Sequence, residues 1–334
     1  MAKNKRRKYL IGVDVGGTKI LAAVMDPHCR VKAVCKVPVD AHRGAAVFLD
    51  QIVKTVQEAV DEAGLKWKHV AALGMGCPGM IEQPQGIVRL SPNLSFLKNY
   101  PLRKKLMQRL KIPVTIENDV NAGLYGEFHF GAARGCQNAV GIFWGTGVGG
   151  GLILDGKIYR GSTGAAGEIG HTFVNAPALT DISDRSGTLE SQIGRLALSA
   201  DAGLLVLKQQ AKVLYEKAGT DLRKMKSKTL LRSIRGGDQA VKELMRCKAR
   251  VLGIAMANAV NLLNPERIVL GGGVMEAMGS ILLPVAKKTM REYALAPVVR
   301  NVSVELARLG DYAIAMGAAQ LAYEALQKGR HGAG

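Results

Sequence analysis

Aromatic side chains are scarce, at 5% of 334 residues, so any core built from this chain is aliphatic. Cysteine is sparse too. The five, Cys29, Cys35, Cys77, Cys136 and Cys247, form an odd set with no C-x-x-C pair. That argues against a disulfide framework and a cysteine-rich zinc site, and it fits a reducing cytoplasm. No stretch of about 18 apolar residues reads as a membrane span. The basic start, Lys3 to Lys8, is followed by an apolar run that Asp14 and Lys19 interrupt, which makes a poor signal peptide. There is no low-complexity segment and no Pro/Ser-rich linker, so a junction between domains must be a hinge. Acidic residues are in deficit: 27 against 46 Lys and Arg, a formal net charge of +19. Such a surface attracts polyanions: nucleic acid, anionic lipid, nucleotides or polyphosphate. A generally basic surface with no such partner reads the same way. The positive residues are spread along the chain, and the dense run at Lys3 to Lys8 reads as a solvated tail.

Glycine, in contrast, is abundant, with 40 residues. At two places it interrupts apolar runs suited to buried strands. Tyr9 to Asp14 leads into Val15-Gly16-Gly17-Thr18-Lys19 and then Ile20 to Met25. Ala139 to Trp144 leads into Gly145-Thr146-Gly147-Val148-Gly149-Gly150-Gly151 and then Leu152 to Leu154. Glycine turns expose backbone N–H groups to an anion because no Cβ keeps it away. Two of them point to phosphates held from two sides of one cleft, and so to phosphoryl transfer. An ordinary hairpin turn is the plainer reading, although the second glycine run is longer than a hairpin needs.

The length suits two domains. Val31 to Val39 reads as a third strand, Val47 to Glu62 as a helix stopped by Gly64, and Val70 to Met75 as a short buried strand. In a dinucleotide-binding unit a helix directly follows the first glycine turn; here Ile20 to Val24 is β-rich, so that turn belongs to a hairpin. Val114 to Glu117 is a strand and Val120 to Phe130 a helix. Asp155-Gly156 is a tight-turn signal. Gly161 to Gly194 is irregular and suits a substrate loop. Asp238 is placed to N-cap a long helix running to Leu263, stopped by Pro265. Arg267 to Leu270 reads as a strand, and Tyr312 to Leu326 as an Ala-rich helix. Hinges are expected near residues 119–127 and 309–315.

Seven motifs in order carry a resemblance. They are Asp14 to Lys19, Gly76-Cys77-Pro78-Gly79, Ser91-Pro92-Asn93-Leu94, Glu117-Asn118-Asp119-Val120-Asn121, Gly145 to Gly150, Gly167-Glu168-Ile169-Gly170-His171, and Gly271-Gly272-Gly273-Val274. From about Leu10 to Tyr323 the chain resembles the ROK family of sugar kinases. The resemblance implies an α/β, two-domain, actin-like ATPase (ribonuclease H-like) fold with an interdomain cleft whose lobes close on the sugar. It places a small domain at 1–120, with helix 312–328 packing back on it, and a large domain at 121–311. It also implies ATP and Mg²⁺ as cofactors, a sugar substrate with glucose at its 6-hydroxyl as the first choice, and a homodimer.

Residue roles follow from the same resemblance. Asp119 is the catalytic base that takes the sugar hydroxyl's proton; by position alone it also reads as a helix N-cap, as does Asn118. Asp14 helps hold Mg²⁺, through water, or is a plain strand-end Asp. Gly16, Gly17, Thr18 and Lys19 face donor phosphates from one side, and Gly145, Thr146, Gly147 and Gly149 from the other. Gly272 and Gly273, between a strand and a helix, suit the nucleoside, or are only a loop. Asn93, Asn118, Asp119, Glu168, His171 and Glu190 form the sugar set. A ring of hydroxyls needs several short polar partners, and unpaired ones are costly. Glu168 and His171 are three apart, so one helical turn presents both on one face; a local pair bracing a loop is the plainer reading. Asn93 also reads as a turn residue, and Glu190 as a surface helix residue.

One departure stands out. Where family members with structural zinc carry three cysteines, this chain has Asp181, Ser183 and Thr188. Zinc favours thiolate and imidazole ligands, so no structural zinc is expected, and another group must orient His171. A different ion held by His171 and Asp181 is the minority reading. Rival functions are a kinase for fructose, mannose, N-acetylglucosamine or N-acetylmannosamine, a polyphosphate-using enzyme, and a sugar-responsive DNA-binding regulator. The regulators of this family carry a helix-turn-helix domain ahead of the first phosphate motif. The few residues before Asp14 are too short for one, so no specific nucleic-acid partner is expected.

Overall fold

The computed structural model describes residues 8–39, 44–175 and 187–331. They divide into two compact units. The first comprises residues 8–39, 44–135, 158–166 and 311–331, and the second 136–157, 167–175 and 187–310.

The first unit opens with three strands: β1 (Tyr9–Val15), β2 (Lys19–Met25) and β3 (Val31–Pro38). Helix α1 (Gly44–Glu62), β4 (Val70–Cys77) and a small hairpin of β5 (Met80–Glu82) and β6 (Ile87–Leu90) follow. Then come α2 (Leu102–Leu110), β7 (Val114–Asn118) and α3 (Asp119–Phe130). The main sheet runs β3-β2-β1-β4-β7. β1, β2 and β3 are antiparallel neighbours, whereas β1, β4 and β7 are parallel. Strand alternation sorts the side chains. Ile11, Val13 and Val15 join Phe48, Ile52 and Val56 of α1 in one core. Leu10, Leu21 and Ala23 face the other way.

The second unit repeats this plan. Its strands are β8 (Ala139–Trp144), β9 (Val148–Leu154) and β10 (Lys157–Ile158). A helical stretch follows: α4 (Leu189–Ile193), α5 (Arg195–Leu207), α6 (Lys212–Ala218), α7 (Ser227–Arg235) and α8 (Gln239–Leu263). After it come β11 (Arg267–Gly271), α9 (Gly273–Tyr293), α10 (Ala296–Val299) and β12 (Ser303–Leu306). The sheet order is β10-β9-β8-β11-β12, antiparallel on the β9 side and parallel on the β11 side.

The last helix, α11 (Ala313–His331), covers the second face of the first sheet. It comes close because glycines at two points of the sheet and alanines along the helix leave little side chain between them. A Cβ on Gly12 would sit 1.9 Å from the Ala315 carbonyl oxygen, and one on Gly74 would sit 1.8 Å from that of Ala318. On the helix side, a Cβ on Gly317 would fall 1.8 Å from Ala122 O of α3. Gly74→Ala is therefore expected to destabilise the first unit by about 1–3 kcal/mol or more. Gly273→Ala, where a Cβ meets nothing within 4 Å, should be near-neutral. Thermal melts of the two variants check this pair.

The boundary expected at 120/121 differs from the division found. Helix α3 packs on α11 through Gly126 and Gly317 and so belongs to the first unit, which extends to Gly135. Segment 158–166 returns to that unit as well, anchored by Arg160 on Glu117. The later boundary between the units lies at Gly310/Asp311. Asp238 departs from expectation too. It precedes α8 but makes no side-chain cap there. Its carboxylate instead accepts the Val213 and Leu214 N–H groups at the start of α6 and the Ser233 hydroxyl. No described helix is long and apolar enough to cross a membrane.

Candidate functional site

In the first unit, the parallel strands set the site. Register places Asp14 of β1 beside Gly76 of β4, and Gly76 beside Glu117 of β7; Cys77 pairs with Asn118. The functional side chains thus gather at the carboxyl ends of neighbouring parallel strands, where α/β sheets bind ligands.

The capping question resolves between neighbours. Asn118 is the N-cap of α3, its Oδ1 accepting the Asn121 N–H at 3.0 Å, while its Nδ2 donates to Gly79 O. Asp119 is the first helical residue, half-buried, with Oδ1 accepting the Val120 N–H. The helix N-terminus favours its negative charge. Behind this pair sits Glu117, only 3% exposed. Its Oε2 accepts two hydrogen bonds from the Arg160 guanidinium at 2.8 and 2.6 Å, and its Oε1 accepts the Asn118 N–H at 3.0 Å. Sequence reading assigned Glu117 and Arg160 no role, and nothing local in the sequence joins residues 43 apart.

Asp14 is 5% exposed. No hydrogen bond from the described residues reaches its carboxylate. Burial pushes its pKa from the ordinary 3.8 up to about 7; Lys19 and Lys36 pull it down, and Asp119 and Asp311 push it up. A buried carboxylate with this little compensation fits a role beside a divalent cation, which would restore its charge. Lys19 is engaged within the first unit. Its ammonium sits 2.8 Å from Asp311 Oδ1, and Lys36 reaches Asp311 Oδ2 at 3.1 Å. These two lysines hold the Asp311 carboxyl below its usual range. The β1–β2 turn is narrow, with Gly16 N–H bonded to Lys19 O. Gly17 and Thr18 are exposed at its tip. A Cβ on Gly17 would lie 3.6 Å from that of Asn93, so the exposed Asn93 neighbours this turn.

In the second unit, the β8–β9 turn holds Gly145, Thr146 and Gly147, and Gly149 lies in β9 opposite Phe143. Gly145 N–H donates to Gly147 O at 2.9 Å. A Cβ on Gly145 would meet nothing within 4 Å, so packing does not demand this glycine. The bare backbone leaves room there for a ligand to come close. Gly272, at φ +86°, sits where a Cβ would fall 2.5 Å from Trp144 O, while Gly273 opens α9 with free space above it. Helix N-termini favour anions.

Glu168 precedes a short helical turn, Ile169–His171, and His171 Nε2 stands 3.9 Å from Glu168 Oε2. Both are exposed. The Glu190 side chain turns toward the glycine loop: its Oε2 accepts the Val148 N–H at 2.8 Å. Thr188, at one of the three cysteine positions, N-caps α4 by accepting the Ser191 N–H. Asp181 and Ser183 lie outside the described residues. Among the described residues no cluster of three metal-binding side chains occurs. A separate cavity of about 460 Å³ lies between β8–β9 and α8, with Glu168 and Thr172 at its margin. Its lining is mainly apolar, which does not suit a ring of hydroxyls.

Comparison with known proteins places this geometry. The model of the ROK family matches residues 10–325. A glucokinase of Halalkalibacterium halodurans is 32% identical over 315 residues, 93% of each chain. A xylose repressor of Caldicellulosiruptor bescii is 29% identical, and the match spans 94% of this chain and 78% of the repressor. A ROK family glucokinase from Streptomyces griseus, solved with glucose and AMPPNP, superposes with a TM-score of 0.81 at 32% identity, covering 95% of this chain and 99% of that one. The repeated sheet plan is that of the two-domain, actin-like α/β fold. With the match running from the first strand into the last helix, the chain belongs to the ROK family.

Proposed function

We propose that this protein transfers the γ-phosphoryl group of ATP to the 6-hydroxyl of glucose. The observation that carries this reading is Asp119, left out of the capping position by Asn118 and placed beside the strand ends that bear Asp14. The likeness to a glucokinase solved with glucose and AMPPNP supports the choice of both substrates.

The chemistry follows from these residues. Asp119 accepts the hydrogen bond of the attacking hydroxyl and takes its proton as the new O–P bond forms. The bond from the γ-phosphorus to the β–γ bridging oxygen breaks, and that electron pair leaves on ADP. The transition state is loose, so most of the work is alignment and neutralisation of charge. The N–H groups of Gly17 and Thr18 in one turn and of Thr146 and Gly147 in the other supply that neutralisation, those of Gly16 and Gly145 being bonded within their own turns. Mg²⁺, when bound, would neutralise phosphate charge next to Asp14. Asn93, Asn118, Glu168, His171 and Glu190 hold the sugar hydroxyls. Glu168, whose Oε2 lies 3.9 Å from His171 Nε2, is the group placed to orient that ring, the part a metal plays in zinc-bearing relatives. We also infer a homodimer and a cytoplasmic location, as family-level expectations.

The repressor likeness supports a second reading, a sugar-responsive regulator. Asp119 and both phosphate turns favour the enzyme, because sensing a sugar needs no base. The test is an initial-rate panel of glucose, fructose, mannose, N-acetylglucosamine and N-acetylmannosamine against ATP, ADP and polyphosphate. Glucose with ATP should give the highest kcat/KM. A tenfold preference for another pair would replace the substrate assignment, and no turnover with any pair would defeat the kinase reading.

A further inference from the structure

Helix α4 is five residues long, yet hydrogen bonds tie it on both sides. On one side it meets the chain that follows Glu168 and His171. Leu189 N–H donates to Thr172 O at 2.9 Å, and Val174 and Asn175 N–H groups donate to Gly187 O at 2.9 and 3.2 Å. Phe173 and Thr188 form a β-bridge. On the other side it holds the β8–β9 turn at three points. Glu190 Oε2 accepts the Val148 N–H, the Trp144 indole donates to Ile193 O at 2.6 Å, and Arg195 N–H, just beyond α4, donates to Thr146 O at 3.0 Å. Leu189, Ile193 and Trp144 are fully buried, so α4 cannot shift without carrying its partners.

None of these three bonds belongs to α4 as a helix. Its own bonds run from Gln192 N–H to Thr188 O and from Gly194 N–H to Glu190 O. Glu190 joins the two sides in one side chain. One carboxylate oxygen fixes the glycine turn, and no hydrogen bond from the described residues reaches the other, Oε1.

We propose that α4 couples sugar and nucleotide binding: Glu190, Ile193 and Arg195 transmit the ordering of the 168–175 segment to the donor-phosphate turn at 145–147, so each substrate tightens the other. This rests on the proposed kinase reading. A sugar hydroxyl donating to Glu190 Oε1 immobilises the same carboxylate that holds Val148. Nucleotide phosphates ordering the turn immobilise it from the other side. Whichever ligand arrives second meets a side chain already ordered and loses less entropy in binding. By linkage the factor is the same in both directions.

Two substitutions separate this from simple structural support. Arg195 is the first residue of α5, and Gly194 has φ −58° and ψ 163°. Proline suits a first helical position, and that preceding conformation suits proline. Arg195→Pro therefore deletes one N–H, the donor to Thr146 O, and leaves the helix intact. Trp144→Phe deletes the indole donor to Ile193 O from the other direction. Isothermal titration of the full chain with a non-hydrolysable ATP analogue and Mg²⁺, with and without saturating glucose, reads the factor. In the unaltered protein glucose should tighten the analogue at least about fivefold. Each variant should bring that factor toward one, while the Kd for glucose alone stays within about twofold. Because the variants alter different donors, a folding defect in one leaves the other to report. An unchanged factor in a folded variant would overturn the proposal. So would a factor of one in an unaltered protein that still phosphorylates glucose, which would leave the kinase reading standing. Failure to bind glucose at all would overturn both.

Discussion

Asp119→Asn is expected to lower kcat by about 10²–10⁴-fold while glucose still binds. Asparagine has the same shape, and its carbonyl oxygen can accept the Val120 N–H and the sugar hydroxyl. It cannot take the proton. The substitution is a clean one because the structural duty at this helix start belongs to Asn118, which caps α3 and bonds Gly79. Fold and melting temperature should therefore change little. Initial rates and glucose titration, run on the same preparation, check the prediction. Near-normal turnover would remove Asp119 from the role of base.

Asp14→Asn should also be nearly inactive, but in a more stable protein. The Asp14 carboxyl titrates near pH 7 when folded and at 3.8 when exposed. The folded state therefore binds the proton more tightly. Its contribution to stability is fully present below about pH 4 and is lost as pH rises through about 7. Above that pH the ligand-free protein carries a buried, poorly compensated charge. At about 1.4 kcal/mol per pH unit, the difference amounts to about 4 kcal/mol at most. Thermal melts of the ligand-free protein should show the variant gaining over the parent at pH 8.5 and matching it near pH 4. An equal difference at both pH values would contradict the assignment. Turnover should fall by orders of magnitude, because the group that destabilises the empty protein is the one proposed to meet the cation. Functional sites often store cost in this way.

Much of this was legible in the sequence. The two glycine-turn hairpins, the strand through Asp14 and a helix from Val120 were expected, and are found with the strand and helix each one residue longer, because each rests on local periodicity and turn chemistry. Gly145 and Gly273 were expected as ligand-facing, and a Cβ at either would meet nothing within 4 Å. What was not legible depends on distant chain segments. Lys19 was expected to face phosphate, but its partner Asp311 is 292 residues away. Glu190 was expected on the sugar or as a surface helix residue, and its side chain holds the Val148 N–H across 42 residues. Asp238 was expected to cap its own helix, and it serves α6 instead because the start of that helix lies within reach. Gly126 and Gly317 draw α3 onto α11, so α3 falls with the first unit rather than beyond residue 120. Spacing within α3 gives no sign of a close approach to another helix.

The most direct measurement is identification of the product by phosphorus and carbon NMR after incubating the purified protein with ATP, Mg²⁺ and glucose. A sugar phosphate bonded at carbon 6, formed in equal amount with ADP, is the predicted result. Phosphate bonded at another carbon, or ATP consumed with only inorganic phosphate released, would contradict transfer to the 6-hydroxyl.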